Sequence, residues 1–169
     1  NDVLHFARPF PEYMLEWIKD LKEGESAFKN PPETRPYKLT ENGREELKSS
    51  HINNKFRRLF WDKPGACVHT RNDILGSQDT IHPSDNRVLS IRELMRIMSI
   101  PDSFKWTALL PNSVNRTEFL AANELNIRRC IGEAVPTAVI SAIAENLKGI
   151  LLSVAAAPLK ENALYEVKK

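Results

Sequence analysis

Glycine is scarce in this chain and never clustered. The six glycines, Gly24, Gly43, Gly65, Gly76, Gly132 and Gly149, stand alone. There is therefore no Gly-x-Gly loop to cradle a phosphate or a nucleoside cofactor. Glutamine occurs once, as Gln78. The two cysteines, Cys67 and Cys130, carry no paired spacing. They point away from a disulfide scaffold, towards free thiols in the cytoplasm acting as small apolar fillers. The four histidines, His5, His51, His69 and His82, lack ligand spacing, so no metal site is expected. No Ser or Cys sits in a nucleophile setting, and no catalytic residue is assigned. No apolar run approaches the ~20 residues of a membrane span, and no signal-peptide pattern opens the chain. The first residue is Asn1, which suggests a piece of a longer protein.

What is present is ordinary in bulk. At 169 residues, 41% hydrophobic and 27% charged, the chain suits one globular domain or slightly more. A net charge of +2 is too mild to argue for nucleic acid by itself; a basic patch must come from local clustering.

The most legible stretch is Arg87 to Phe104. Ser90 and Glu93 stand three apart, as in a capping box, with Leu89 and Leu94 placed as a hydrophobic staple. Ile91, Leu94, Met95 and Met98 make one helical face, and Pro101 ends it. Arg92 and Arg96 lie off that face, free for solvent, carboxylates or phosphate.

Elsewhere the pattern predicts a helix around Tyr13–Leu21 closed by Gly24, with Tyr13 and Trp17 packed in a core, then a loop through Asn30–Pro36. Thr40 could cap a helix to Lys48. Lys55, Arg57 and Arg58 precede Phe60 and Trp61; interleaved cations and aromatics suit phosphate contact and base stacking, or else a half-buried strand with solvated charges. Residues 64–89 are rich in turns, with short β candidates at Cys67–Thr70, Ile81 and Val88–Leu89. Thr117 is the expected cap of a helix ending near Arg128 and Arg129. Beyond Pro136, Val139, Ile140, Ile143, Leu147, Ile150, Leu151 and Val154 recur at helical spacing on a face that needs a large apolar partner. The last dozen residues read as a loose tail.

Three blocks resemble, in order, the C-terminal part of the DNA cytosine-5 methyltransferases. Arg57-Arg58-Leu59-Phe60-Trp61-Asp62-Lys63-Pro64 is similar to the Arg-Arg-Leu-x-Trp-Asp-x-Pro segment of that family's target-recognition region. Ile81-His82-Pro83 through Pro101-Asp102-Ser103-Phe104 is similar to motif IX, and Ile131-Gly132-Glu133-Ala134-Val135-Pro136 to motif X. The blocks cover roughly residues 56–150.

The resemblance implies an α+β fold: a small mixed target-recognition domain with short irregular strands and several helices, plus a C-terminal helix that packs on a Rossmann-like catalytic domain. It divides the chain into an unassigned helical part, 1–55, a recognition region with motif IX, 56–130, motif X and its helix, 131–157, and a tail, 158–169. In the family a larger domain carries the S-adenosylmethionine site and a Pro-Cys nucleophile, and a flipped-out cytosine is methylated at C5. The implied partners are double-stranded DNA and an N-terminal catalytic domain or subunit, as in restriction-modification, with no membrane. DNA would meet Lys55, Arg57, Arg58, His69, Thr70 and Arg71; S-adenosylmethionine would be touched by Glu133, Ala134 and Val135 and held mainly by the catalytic domain. The family's glycine-rich motif, its Pro-Cys, its Glu-Asn-Val and its Gln-x-Arg-x-Arg are absent here. The chain is therefore expected to be inactive alone, as an excised fragment or a small subunit, with a homodimer through the 136–154 helix conceivable. A stand-alone DNA-binding or interaction subunit and an inactive relic are the alternative readings. Two departures stand out: Glu133 occupies the family's Asn position, where a carboxylate needs a cation or donor close by, and Thr137 replaces a second proline.

Overall fold

The computed structural model describes residues 2–6, 8–48 and 54–156. It shows a small α+β arrangement of two hydrophobic clusters, with α2 (Ile91–Ile97) at the centre of one of them. The start of α2 follows the sequence closely. The Ser90 side chain accepts from the Glu93 amide at 3.2 Å, and the Glu93 carboxylate accepts from the Ser90 amide at 2.7 Å, a reciprocal capping box. Its end has a device the sequence hid. Ser99 adopts φ 57°, and the Ile100 and Ser99 amides donate back to Met95 and Arg96, which is a Schellman closure with serine in place of glycine.

Leu94, Met95 and Met98 of α2 pack with Leu4, Leu59, Leu120, Ile127 and Ile131 in the first cluster. The second cluster joins Trp17, Ile18 and Ala27 to Phe56, Leu75, Ile81 and Val88. Residues 2–48 are thus built into the same packing as the later segments. Between the clusters runs an irregular β layer of isolated bridges: Ser26 with Arg57, Arg58 with Ile81, Ile81 with Val88. Lys55 likewise bridges Gln78.

Several expectations are corrected. The segment around Thr40 is not helical but a hairpin, β1 (Tyr37–Thr40) against β2 (Gly43–Glu46), turning at Gly43 with φ 104°. Alternating charge across the pair, such as Lys38 to Glu45 at 3.0 Å, suits a ribbon exposed on both faces. The first helix is short, α1 (Glu12–Glu16), and continues as turns to Gly24. Residues Cys67–Thr70 form no strand. The cap of α3 (Arg116–Ala122) is Asn115, whose side chain accepts from the Thr117 and Glu118 amides; Thr117 sits inside the helix. Both cysteines are exposed, not core fillers. Arg92 and Arg96 take one of the partners open to them, carboxylates: both donate to Asp102, and Arg92 also to Asp2.

α4 (Glu124–Glu133) closes the first cluster. A Cβ on Gly132 would lie 2.4 Å from the His69 carbonyl carbon, so only glycine lets the helix backbone meet the 69–70 backbone. α5 (Thr137–Ala156) follows, anchored at its start by Thr137 Oγ1 donating to the Ser99 carbonyl at 2.7 Å, a bond proline could not supply. The rest of α5 is uncovered, so its apolar stripe is not buried against the other elements. By length and composition Glu124–Ala155 would suffice to cross a membrane, contrary to expectation, although Glu145, Asn146 and Lys148 interrupt α5 midway. The tail, 158–169, and His51 lie outside the described residues.

The two ends of α2 give opposite expectations. Ser90→Ala removes the cap and strands His5 Nδ1, 2.9 Å from the hydroxyl; thermal unfolding should report a loss of about 1–2 kcal/mol. Ser99→Gly removes the left-handed strain and should raise stability by about 0.5–1 kcal/mol. An unchanged midpoint in either variant would discard the corresponding helix end as described.

Candidate nucleic-acid interface

The residues expected to meet DNA divide into two kinds. Arg58 is 3% exposed and points inward. Its guanidinium donates to the carbonyls of Ile18, His82 and Asp85 and to Asn86 Oδ1, all at 2.7–2.9 Å. Burial lowers its pKa from the ordinary value, with the Asp85 charge opposing it. It is an internal strut tying Ile18 to the 82–86 turn, which alters the expected role of this arginine. Arg57 is half-buried and held in a two-point pair by Asp79, with Nη2 to Oδ2 at 2.9 Å. That pairing raises its pKa.

The remaining four lie on one accessible strip. Lys55, Thr70 and Arg71 are exposed and His69 half-buried. His69 Nε2 lies 3.4 Å from the carbonyl of Gln78, the residue bridged to Lys55. Arg71 keeps a 65% exposed side chain while touching Asp73 at 3.1 Å. The strip is braced from behind by a second buried arginine. Arg128, 1% exposed, donates to Glu124, Asn72 and the Leu89 carbonyl, and Asn72 donates back to the His69 and Arg128 carbonyls. The loop carrying His69, Thr70 and Arg71 is thereby fixed to α4.

The aromatic half of the 55–63 cluster, read from sequence as suited to stacking, lies at the surface. Trp61 is 64% exposed, edge-on to His82 at 5.4 Å, and the Lys63 ammonium sits 3.6 Å from the centre of the Phe60 ring. With Arg96 and His5 they line a cleft of about 380 Å³. The signal was available in the alternation of aromatic and cation at 60–63.

Glu133, Ala134 and Val135 are exposed at the α4–α5 junction. None lines the cavities described above or the aromatic groove discussed below. These residues do not build a cofactor pocket by themselves. The cation that Glu133 needs is present: Arg129 Nε donates to its carboxylate at 2.8 Å. Among the described residues no group of His, Cys, Asp and Glu could hold a metal ion.

Beneath Trp61 lies the charged knot that positions α2. Arg87 donates to both oxygens of Glu93, at 2.8 and 2.9 Å, and also to Asp85. Burial pushes the Glu93 carboxyl up, but the Arg87 guanidinium and the Ser90 amide outweigh it and hold the pKa at about 2. Burial and the Arg87 charge depress His82, whose Nδ1 accepts from the Asp85 amide at 2.9 Å.

Residues 12–149 match the family model of the C-5 cytosine-specific DNA methylases. The chain belongs to this family. It is 34% identical over 152 residues to the type II methyltransferase M1.HgaI of Avibacterium volantium, covering 85% of this chain and 38% of that protein. It is 37% identical over 106 residues to the type II methyltransferase M.AgeI of Thalassovita gelatinovora, covering 62% of this chain and 21% of that protein. A third match, 26% identical over 117 residues, is the type II methyltransferase M.AquIB of Picosynechococcus, covering 69% of this chain and 79% of that protein. This methylase chain thus spans a minority of the first two relatives and most of the third. No solved structure matches it.

The knot fixes a pH dependence. The carboxyl of Glu93 is ordinarily near 4.5 and here about 2, so its contribution is complete above pH 4.5 and lost as pH falls towards 2. His82, depressed below 6.5, acts in the same direction at higher pH, because the unfolded chain takes its proton first. Stability should fall on acidification, with Glu93 supplying about 3 kcal/mol at most. Glu93→Gln should flatten the pH 4.5–2 part of a melting-temperature profile; an unchanged slope there would remove Glu93 as its source.

Proposed function

We propose that this methylase chain is the C-terminal DNA-recognition portion of a DNA cytosine-5 methyltransferase, working in the cytoplasm with a catalytic portion that holds S-adenosylmethionine and the nucleophile. The observation that carries the reading is α5. Val139, Ile140, Ile143, Leu147, Ile150, Leu151 and Val154 are each 49–68% exposed on a helix that nothing else in the described chain covers. A contiguous apolar surface of that size marks an interface. The family supplies the class of occupant, since most of the length of the first two relatives lies outside the matched part. The third relative, itself a short chain, supports a division between two polypeptides.

On this reading the chain performs no bond-making step. The Lys55–Arg71 strip meets the sugar-phosphate backbone, because its cations stand exposed on a braced loop. Glu133, Ala134 and Val135 complete one wall of the cofactor site only when the catalytic portion is seated on α5. The cofactor supplies the methyl group; Arg129 keeps Glu133 neutralised beside it.

The test combines binding with complementation. The chain alone should bind duplex DNA with an affinity that falls steeply with salt and should show no methyl transfer; addition of its catalytic portion should restore transfer. Lys55→Glu with Arg71→Glu should weaken DNA binding about tenfold or more and lower the salt slope by about 2. Arg58→Ala should instead lower the thermal midpoint, since it orphans buried acceptors. Salt-independent binding would sink the DNA reading, and homodimerisation through α5 that survives the catalytic portion would sink the docking.

A further inference from the structure

The largest groove described in the molecule, about 650 Å³, is not used by this reading. It lies between α1, the β1–β2 hairpin and the 71–76 turn. Its walls are aromatic. Trp17 has Tyr13, Tyr37 and Phe56 around it at centroid distances of 5.3–5.6 Å, each close to edge-on. Trp17 is 2% exposed, and its indole N–H is buried with no acceptor among the described residues. Tyr13 and Tyr37 are half-exposed, and the groove edge holds Leu39 at 68% exposure.

The lining is also electrically one-sided. Arg8, Lys38 and Arg71 contribute three cations and Asp73 the single carboxylate. Arg71 holds Asp73, while Arg8 and Lys38 reach Glu124 and Glu45 outside the groove lining. Arg71 belongs both to this groove and to the strip proposed to face DNA.

Half-exposed aromatic rings and cations along the rim together fit a planar heterocycle attached to phosphates. We propose that this groove receives one unstacked nucleobase of the bound DNA. The base lies against the half-exposed ring of Tyr13, beside Tyr37, whose ring carries the Arg44 guanidinium at 3.9 Å from its centre, and its flanking phosphates lie on Arg71 and Lys38. Stacking on aromatic faces is tolerant of base identity, so the groove favours locally opened DNA over any particular base. This rests on the DNA-recognition reading and adds to it a second place where the duplex is held open, built entirely from this chain.

The test compares the full chain binding a paired duplex and the same duplex with one unpaired base, by fluorescence anisotropy at fixed salt. The expected result is about tenfold tighter binding to the unpaired form. Tyr13→Leu keeps an apolar contact but removes a ring, and should abolish that preference while leaving binding to paired duplex intact. Leu39→Glu places a carboxylate at the exposed mouth, away from the core, and should do the same if Tyr13→Leu proves unstable. Equal affinity for both DNAs overturns the inference and leaves DNA recognition standing. Loss of binding to both DNAs in the unmodified chain overturns recognition and the inference together. A proline-rich peptide that binds in a Tyr13-dependent way while the unpaired base does not would reassign the groove to peptide and overturn the proposal.

Discussion

The two-point pair between Arg87 and Glu93 is the contact on which most of the arrangement depends. Glu93 accepts from Arg87 and from the Ser90 amide at once, so a single carboxylate starts α2 and ties it to the 82–87 turn. Ser90 in turn holds His5, and Arg92, one residue before Glu93, takes the Leu4 carbonyl through its amide and Asp2 through its side chain. The N-terminal segment, the turn and the helix are therefore registered by one charged knot. Such a knot is worth its desolvation only when every donor and acceptor is used, and here nearly all are.

Two buried arginines extend the same logic outward. Arg58 replaces missing sheet hydrogen bonds with four from a single guanidinium, which suits a β layer made only of isolated bridges. Arg128 does the equivalent between α4 and the 69–73 loop. The fixed fork of a guanidinium makes it apt for collecting carbonyls at a junction where the backbone has no regular ladder. The surface cations that remain are the ones positioned by these joints. The strip's His69, Thr70 and Arg71 are held to α4 through Asn72 and Arg128.

The legible parts of the fold were those encoded by contacts three or four residues apart. The capping box at Ser90 and Glu93, the apolar face of α2 and the stripe on α5 could all be read directly. So could the place of Gly132, although the reason, a backbone contact with His69, could not. What was not legible depended on partners far along the chain. Arg58 looks like Arg57 in sequence, and only Ile18 and the 82–86 turn separate their roles. Thr40 reads as a helix cap until Gly43 turns the chain back and pairs Lys38 with Glu45. Ser99 hides a helix end because serine carries no warning of a positive φ. The candidate site was half legible: the interleaved cations and aromatics of 55–63 stood out in sequence, while the inward turn of Arg58 and the aromatic groove around Trp17 needed the fold.

The contrast between α2 and α5 carries the last step. Both have apolar stripes, but α2 is enclosed and α5 stands clear beyond its first turn. Fully burying a leucine or isoleucine contributes about 1.5–3 kcal/mol; the seven stripe residues of α5 are each 49–68% exposed, so covering what remains represents a drive of the order of the net stability of a small domain. The rest of the described chain does not use it: the hydrogen bond from Thr137 to Ser99 ties the helix down at its first residue, and the stripe beyond stays exposed. The fold thus commits a buried knot and two buried arginines to its own packing, while its longest helix stays uncovered among the described residues.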